Sequence, residues 1–108
     1  MTQVMHDAVV DVVKKAIRLM DRVLRRQLNA EQYKAGIDEL DVDSLMVTYK
    51  DDFKSDSSLI YYMDALMLIA SLQREFDFEL AEYGLNVALD DRKNLEELLR
   101  KFPTPSDS

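Results

Sequence analysis

The chain has no cysteine among its 108 residues. That excludes disulfides, thiolate nucleophiles and cysteine-ligated zinc, and it fits a reducing compartment. There are only two glycines, Gly36 and Gly84, too far apart to build a phosphate-cradling loop. His6 is the only histidine, so a Ser-His-Asp assembly would have to draw its base from a frayed terminus. The expected place for His6 is a solvent-facing position on the first helical turn. No apolar run is long enough to cross a bilayer, and no basic stretch precedes the first apolar residues. Neither a membrane helix nor a signal peptide is expected, and the expected location is cytoplasmic. Positive charge is also short: 14 Lys and Arg stand against 21 Asp and Glu, a net charge of -7. Phosphate binding needs cations, so nucleic acid is not an expected partner. An acidic surface suits solubility, a basic protein partner or mimicry of a polyanion.

What is present is enough for one modest core. Hydrophobic residues make up 47% and charged residues 32%, the composition of a folded domain. Residues 1–102 read as one globular domain, and 103–108, opened by Pro103 and containing Pro105, as a flexible tail. From Val4 to Leu28 apolar residues recur at three and four, which predicts a long amphipathic helix. Arg22, Arg25 and Arg26 gather at its end, where cations suit the helix dipole and could also serve docking. Asn29 and Gln32 have capping-box spacing, so a short helix from about Ala30 to Leu40 should follow.

The chain is organised around Asp64–Leu80. Leu68, Leu72, Phe76 and Leu80 repeat at four, and the window has no glycine or proline. It is apolar nearly all round, so it needs cover on more than one side, from the hairpin discussed next or from a second copy. Phe78, Tyr83 and Leu85 extend the pattern around a helix stop at Gly84. Asp90 and Asp91 precede a short last helix with Leu95, Leu98, Leu99 and Phe102 inward. Between the early and central helices, 45–50 and 58–63 are rich in Val, Ile, Thr and Tyr around a polar connector. They predict a β-hairpin and hence an α+β fold. A rival reading starts the central helix early, with Ser57 or Ser58 as its cap.

Asp64–Leu80, ending in REFDFEL, resembles helix II of an acyl carrier protein and the loop after it. Ile37–Leu45 is similar to the loop that ends in that family's Asp-Ser-Leu, here Asp43-Ser44-Leu45, and Asn94–Leu98 to the start of its last helix. The resemblance implies an all-α four-helix bundle in which Ser44 carries 4'-phosphopantetheine and Asp43 and Leu45 help recognition. The sequence departs from the pattern in three ways. Residues 46–63 intervene between the serine and the helix. Asp41 stands where the family favours glycine. Leu66, Met67 and Ala70 occupy a face that is acidic in carriers.

Asp41, Asp43, Asp51, Asp52 and Asp56 could suggest calcium, but Met46 stands where a calcium-binding loop needs glycine and Asp52 where it needs Glu. A solvated acidic loop is the expectation, with no metal. The reading for function is a small, acidic, non-enzymatic interaction protein of immunity, inhibitor or adaptor type, expected as a homodimer and needing no cofactor. Tyr49, Tyr61, Tyr62, Leu66, Met67 and Ala70 are its candidate contact surface. The alternative is a carrier modified on Ser44.

Overall fold

The computed structural model describes residues 2–75 and 85–103. The first helix, α1 (Thr2–Leu24), buries Met5, Val9, Val12, Val13, Ala16, Met20 and Val23 along one stripe. It stops in a Schellman turn. The Arg26 amide donates to the Val23 carbonyl at 2.9 Å and the Gln27 amide to the Arg22 carbonyl at 2.8 Å. Arg26 is left-handed there, with φ of 59°, at the position that favours glycine. Asn29 then opens α2 (Ala30–Glu39) with the expected reciprocal cap. Its side chain accepts from the Gln32 amide at 2.8 Å, and the Gln32 side chain accepts from the Asn29 amide at 3.0 Å. Tyr33 and Ile37 are the buried face of α2.

Asp41, also left-handed with φ of 49°, turns the chain into α3 (Val42–Thr48). A break at Tyr49 separates it from α4 (Lys50–Ser55). A 3₁₀ turn (Ser57–Leu59) leads into α5 (Ile60–Glu75), and α6 (Leu85–Lys101) completes the fold. Asp56 caps the 3₁₀ turn, accepting from the Ser58 hydroxyl at 2.6 Å and its amide at 2.9 Å. These hydrogen bonds, the hydroxyl's first, hold the Asp56 carboxyl below the usual carboxylate range.

The expected β-hairpin, and with it the α+β class, is overturned: the described residues contain no strand and form a small all-helical bundle. Residues 45–50 lie in α3 and the start of α4, and 58–63 in the 3₁₀ turn and α5. The reason is period. Leu45 and Met46 both face inward while Val47 and Thr48 are both exposed. Adjacent residues on a strand point to opposite faces, so this pairing fits a turn of helix and not a pleat. Val42, Leu45, Met46, Tyr49 and Phe53 continue the same stripe. Burial along that stripe overrides the β propensity of Val, Thr and Tyr, which is context-dependent. The central helix does start early, at Ile60 behind the 3₁₀ turn, but the cap there is Asp56, and Ser57 and Ser58 lie inside the turn. The loop that the four-helix alternative places at 46–63 is largely helix. The last helix is longer than expected, beginning at Leu85 and not after Asp91, with Leu95 and Phe102 buried and Leu98 and Leu99 packed against the core. The expected stop at Gly84, the residues Phe76, Phe78, Leu80 and Tyr83, and the tail beyond Pro103 lie outside the described residues.

Three long helices carry the bundle. α1 packs along α6, and α5 packs on both. His6 near the start of α1 and Pro103 after the end of α6 share Tyr62 of α5. Farther along, Arg92 of α6 reaches Asp21 of α1. So α6 runs antiparallel to α1. Arg92 Nε lies 2.5 Å from Asp21 Oδ1 but off hydrogen-bond alignment, and Arg92 Nη2 lies 3.0 Å from Glu96. The Asp21 contact is therefore charge attraction between half-buried groups. α2 and α3 close the bundle over α1 and α5. Ala65, Leu66 and Ile69 of α5 are fully buried. Truncating Leu66 or Ile69 to Ala should cost about 2–5 kcal/mol.

Candidate functional site

The six residues expected to form one contact surface are split by the fold. Tyr62, Leu66 and Ala70 lie in the bundle interior. Tyr49 is half-buried against the core. Only Tyr61, 37% exposed, and Met67, 50% exposed, reach solvent, together with Ile60. The Lys101 ammonium sits 6.0 Å from the centre of the Tyr61 ring. The cover that α5 needs comes from inside the chain, from α1, α2, α3 and α6.

Tyr62 is the centre of a contact the sequence did not announce. Its hydroxyl donates to the Pro103 carbonyl at 2.9 Å and also meets His6 Nδ1. A phenol has one proton to give, so with that proton on Pro103 the His6 Nδ1–H must be the donor to Tyr62. His6 is thus half-buried against the Tyr62 ring edge, with ring centres 5.6 Å apart, and is not the solvent-facing residue expected. Phe102 stacks on the other side at 4.3 Å. Burial pushes the Tyr62 phenol pKa up. Burial also raises that of Tyr33, and the nearby Asp91 charge adds to it.

Ser44 is exposed in the first turn of α3, and its hydroxyl donates to Asp41 Oδ2 at 2.7 Å. Asp43 beside it is exposed, whereas Leu45 turns inward against the core. An exposed hydroxyl is what attachment of a phosphopantetheine arm requires, and Ser44 offers one. Asp41, in the place where the resemblance expects glycine, holds a backbone conformation that favours glycine and that Asp tolerates better than most residues.

Residues 38–56 carry Asp38, Glu39, Asp41, Asp43, Asp51 and Asp56 at the surface and Asp52 half-buried. None of these is ion-paired to a described cation. Val47, 74% exposed, lies among them in sequence. Among the described residues no three His, Asp or Glu side chains converge to hold a metal. No helix of the described residues is long and apolar enough to cross a membrane.

A groove of about 380 Å³ runs between α1 and α2. Lys15, Arg18, Leu19 and Arg22 line one wall, and Gly36, Glu39 and Leu40 the other. The sequence signal for the basic wall was the spacing of Lys14, Lys15, Arg18 and Arg22 opposite the apolar stripe. The cluster singled out at Arg22, Arg25 and Arg26 meets the groove only at Arg22. The role of Gly36 has no such signal, because it depends on how closely α2 approaches α1. No family model, curated protein or solved structure matches the chain.

Proposed function

We propose that the chain is a small, acidic, non-enzymatic interaction domain of immunity, inhibitor or adaptor type that binds a basic protein partner in the cytoplasm. One observation carries this reading: the exposed carboxylates over 38–56 that pair with no cation among the described residues, with exposed Val47 among them. Uncompensated like charges disfavour the compact state, so a partner that neutralises them has favourable energy to draw on. Complementary charge also speeds encounter and rejects wrong partners. The test compares proteins retained by the wild-type chain with those retained by Asp43→Asn/Asp51→Asn/Asp56→Asn. The expected result is a basic partner held at low salt, released at high salt and not held by the variant. Equal retention by both chains would refute the reading.

A second reading is carried by Ser44 and Asp41. An exposed serine three residues after a left-handed Asp41 supports the carrier resemblance, with Ser44 modified and Asp43 and Leu45 aiding recognition. Incubation with a broad-specificity phosphopantetheinyl transferase and coenzyme A decides it by intact mass. A gain of one phosphopantetheine, lost in Ser44→Ala, supports a carrier, and an unchanged mass removes it.

A further inference from the structure

Residues 14–26 hold six of the 14 cations and a single carboxylate, Asp21. Lys14, Lys15, Arg18 and Arg22 are all exposed on the outer face of α1, and Arg25 follows at its end. Helix-end chemistry accounts for part of this, since the dipole favours cations in the last turn. It covers Arg22 and Arg25 but fades before Lys14, Lys15 and Arg18. Internal pairing does not account for the rest. Lys15 meets Asp11 at 3.0 Å, and Arg18 Nε donates only to the Lys14 carbonyl, at 3.5 Å. No carboxylate among the described residues pairs with Lys14, Arg18, Arg22 or Arg25. Among the described residues only Lys15 of this basic ridge meets a carboxylate, in a chain with a surplus of acids.

The ridge forms one wall of the α1–α2 groove. Its lining between the charged residues is apolar: Leu19 and Leu40 are half-buried, and Gly36 lets Leu19 approach α2 closely. A Cβ on Gly36 would stand 2.7 Å from Leu19 Cδ2.

We propose that this groove seats an acidic amphipathic helix of a partner protein. The charge pattern selects a helix over a continuous polyanion. Glu39 stands on the wall opposite the cations, with Asp38 and Asp41 near it in the chain, and these would repel an unbroken row of phosphates. A helix can separate its chemistry by face. Its carboxylates meet Lys15, Arg18 and Arg22, its apolar residues at i, i+3 and i+4 cover Leu19 and Leu40, and a cation meets Glu39. The two surfaces meet at Glu39, but Asp43, Asp51 and Asp56 of the acidic run do not line the groove.

The test uses the full chain and a fluorescent helical peptide with Leu along one face and Glu along its flank, read by anisotropy. Saturable binding is expected, weakened at high salt and about tenfold by Arg18→Glu/Arg22→Glu. Both arginines are exposed, so this variant should keep its far-UV circular dichroism; Arg18→Gln/Arg22→Gln serves if it does not. Asp43→Asn/Asp51→Asn/Asp56→Asn should bind the peptide as wild type does, which separates this site from the proposed acidic one. The inference is overturned if either arginine variant binds equally well. It is also overturned if the same peptide with Lys for Glu binds as tightly, or if oligothymidylate competes more strongly. Loss of a wild-type dimer in the arginine variants, by light scattering, would make a second copy the occupant and overturn it too.

Discussion

Replacing Tyr62 with Phe isolates one oxygen atom. The ring stays, and with it the stack on Phe102 and the edge contact with His6. The hydroxyl goes, and two groups lose a partner: the Pro103 carbonyl and His6 Nδ1–H. An abandoned buried polar group costs about 1–3 kcal/mol. Here His6 and Pro103 are each half-buried, so water can reach both and the loss falls toward the lower end, about 1–2 kcal/mol. Against a total stability of about 5–15 kcal/mol, that is a measurable share. With a urea slope of about 1–1.5 kcal/mol/M for a domain of this size, the midpoint should fall by about 1 M at unchanged slope. His6→Ala and the double variant complete a cycle. Because both residues act through one hydrogen bond, their effects should fall short of additivity by at least about 0.5 kcal/mol. A midpoint within error of wild type for Tyr62→Phe, or additive effects in the double variant, would refute the linkage of α1, α5 and the end of α6 through this hydroxyl.

Four further outcomes are expected. Arg26→Gly relieves a left-handed residue and should raise stability by about 1 kcal/mol in urea unfolding; a loss would contradict the turn. Burial holds the Tyr33 and Tyr62 phenols above their ordinary pKa of 10.0. Their contribution is therefore complete below that pH and declines as pH rises through the folded values, so melting temperature should drop above about pH 10, and less steeply in Tyr33→Phe. Gly36→Ala sets a helix-propensity gain of about 1 kcal/mol against the clash with Leu19. Leu19 borders open space and can rotate aside, so the net change should stay within about 1 kcal/mol while peptide binding in the groove weakens. Light scattering should return a mass near 12.5 kDa, because α1, α2, α3 and α6 already bury Ala65, Leu66 and Ile69 of α5; twice that mass would support the homodimer expected from the sequence.

Periodicity carried most of the fold into the sequence. The α1 stripe from Met5 to Val23 and the Asn29–Gln32 cap are local features, and both were legible. The stretch from Leu45 to Met63 was not, because its residue types favour strands while their inward and outward order follows a helix. The place of His6 is not a local feature: its partner lies 56 residues away, and only packing brings Tyr62 to it. Tyr62, Leu66 and Ala70 looked like spare apolar surface because the sequence cannot show how many neighbours a helix has. Of the basic wall only Arg22 belongs to the cluster that the helix end draws attention to, and the groove itself needed the approach of α2.

The Tyr62 hydroxyl has a topological consequence. His6 and Pro103, at opposite ends of the described chain, touch the same oxygen, so the path through the bundle nearly closes on itself. A linker joining the start of α1 to the end of α6 would therefore be short. New ends could then be cut elsewhere, as at the break between α3 and α4, giving a circular permutant with the same helix neighbours. By the same geometry, the domain could be spliced into a surface loop of a host protein without prying the loop apart.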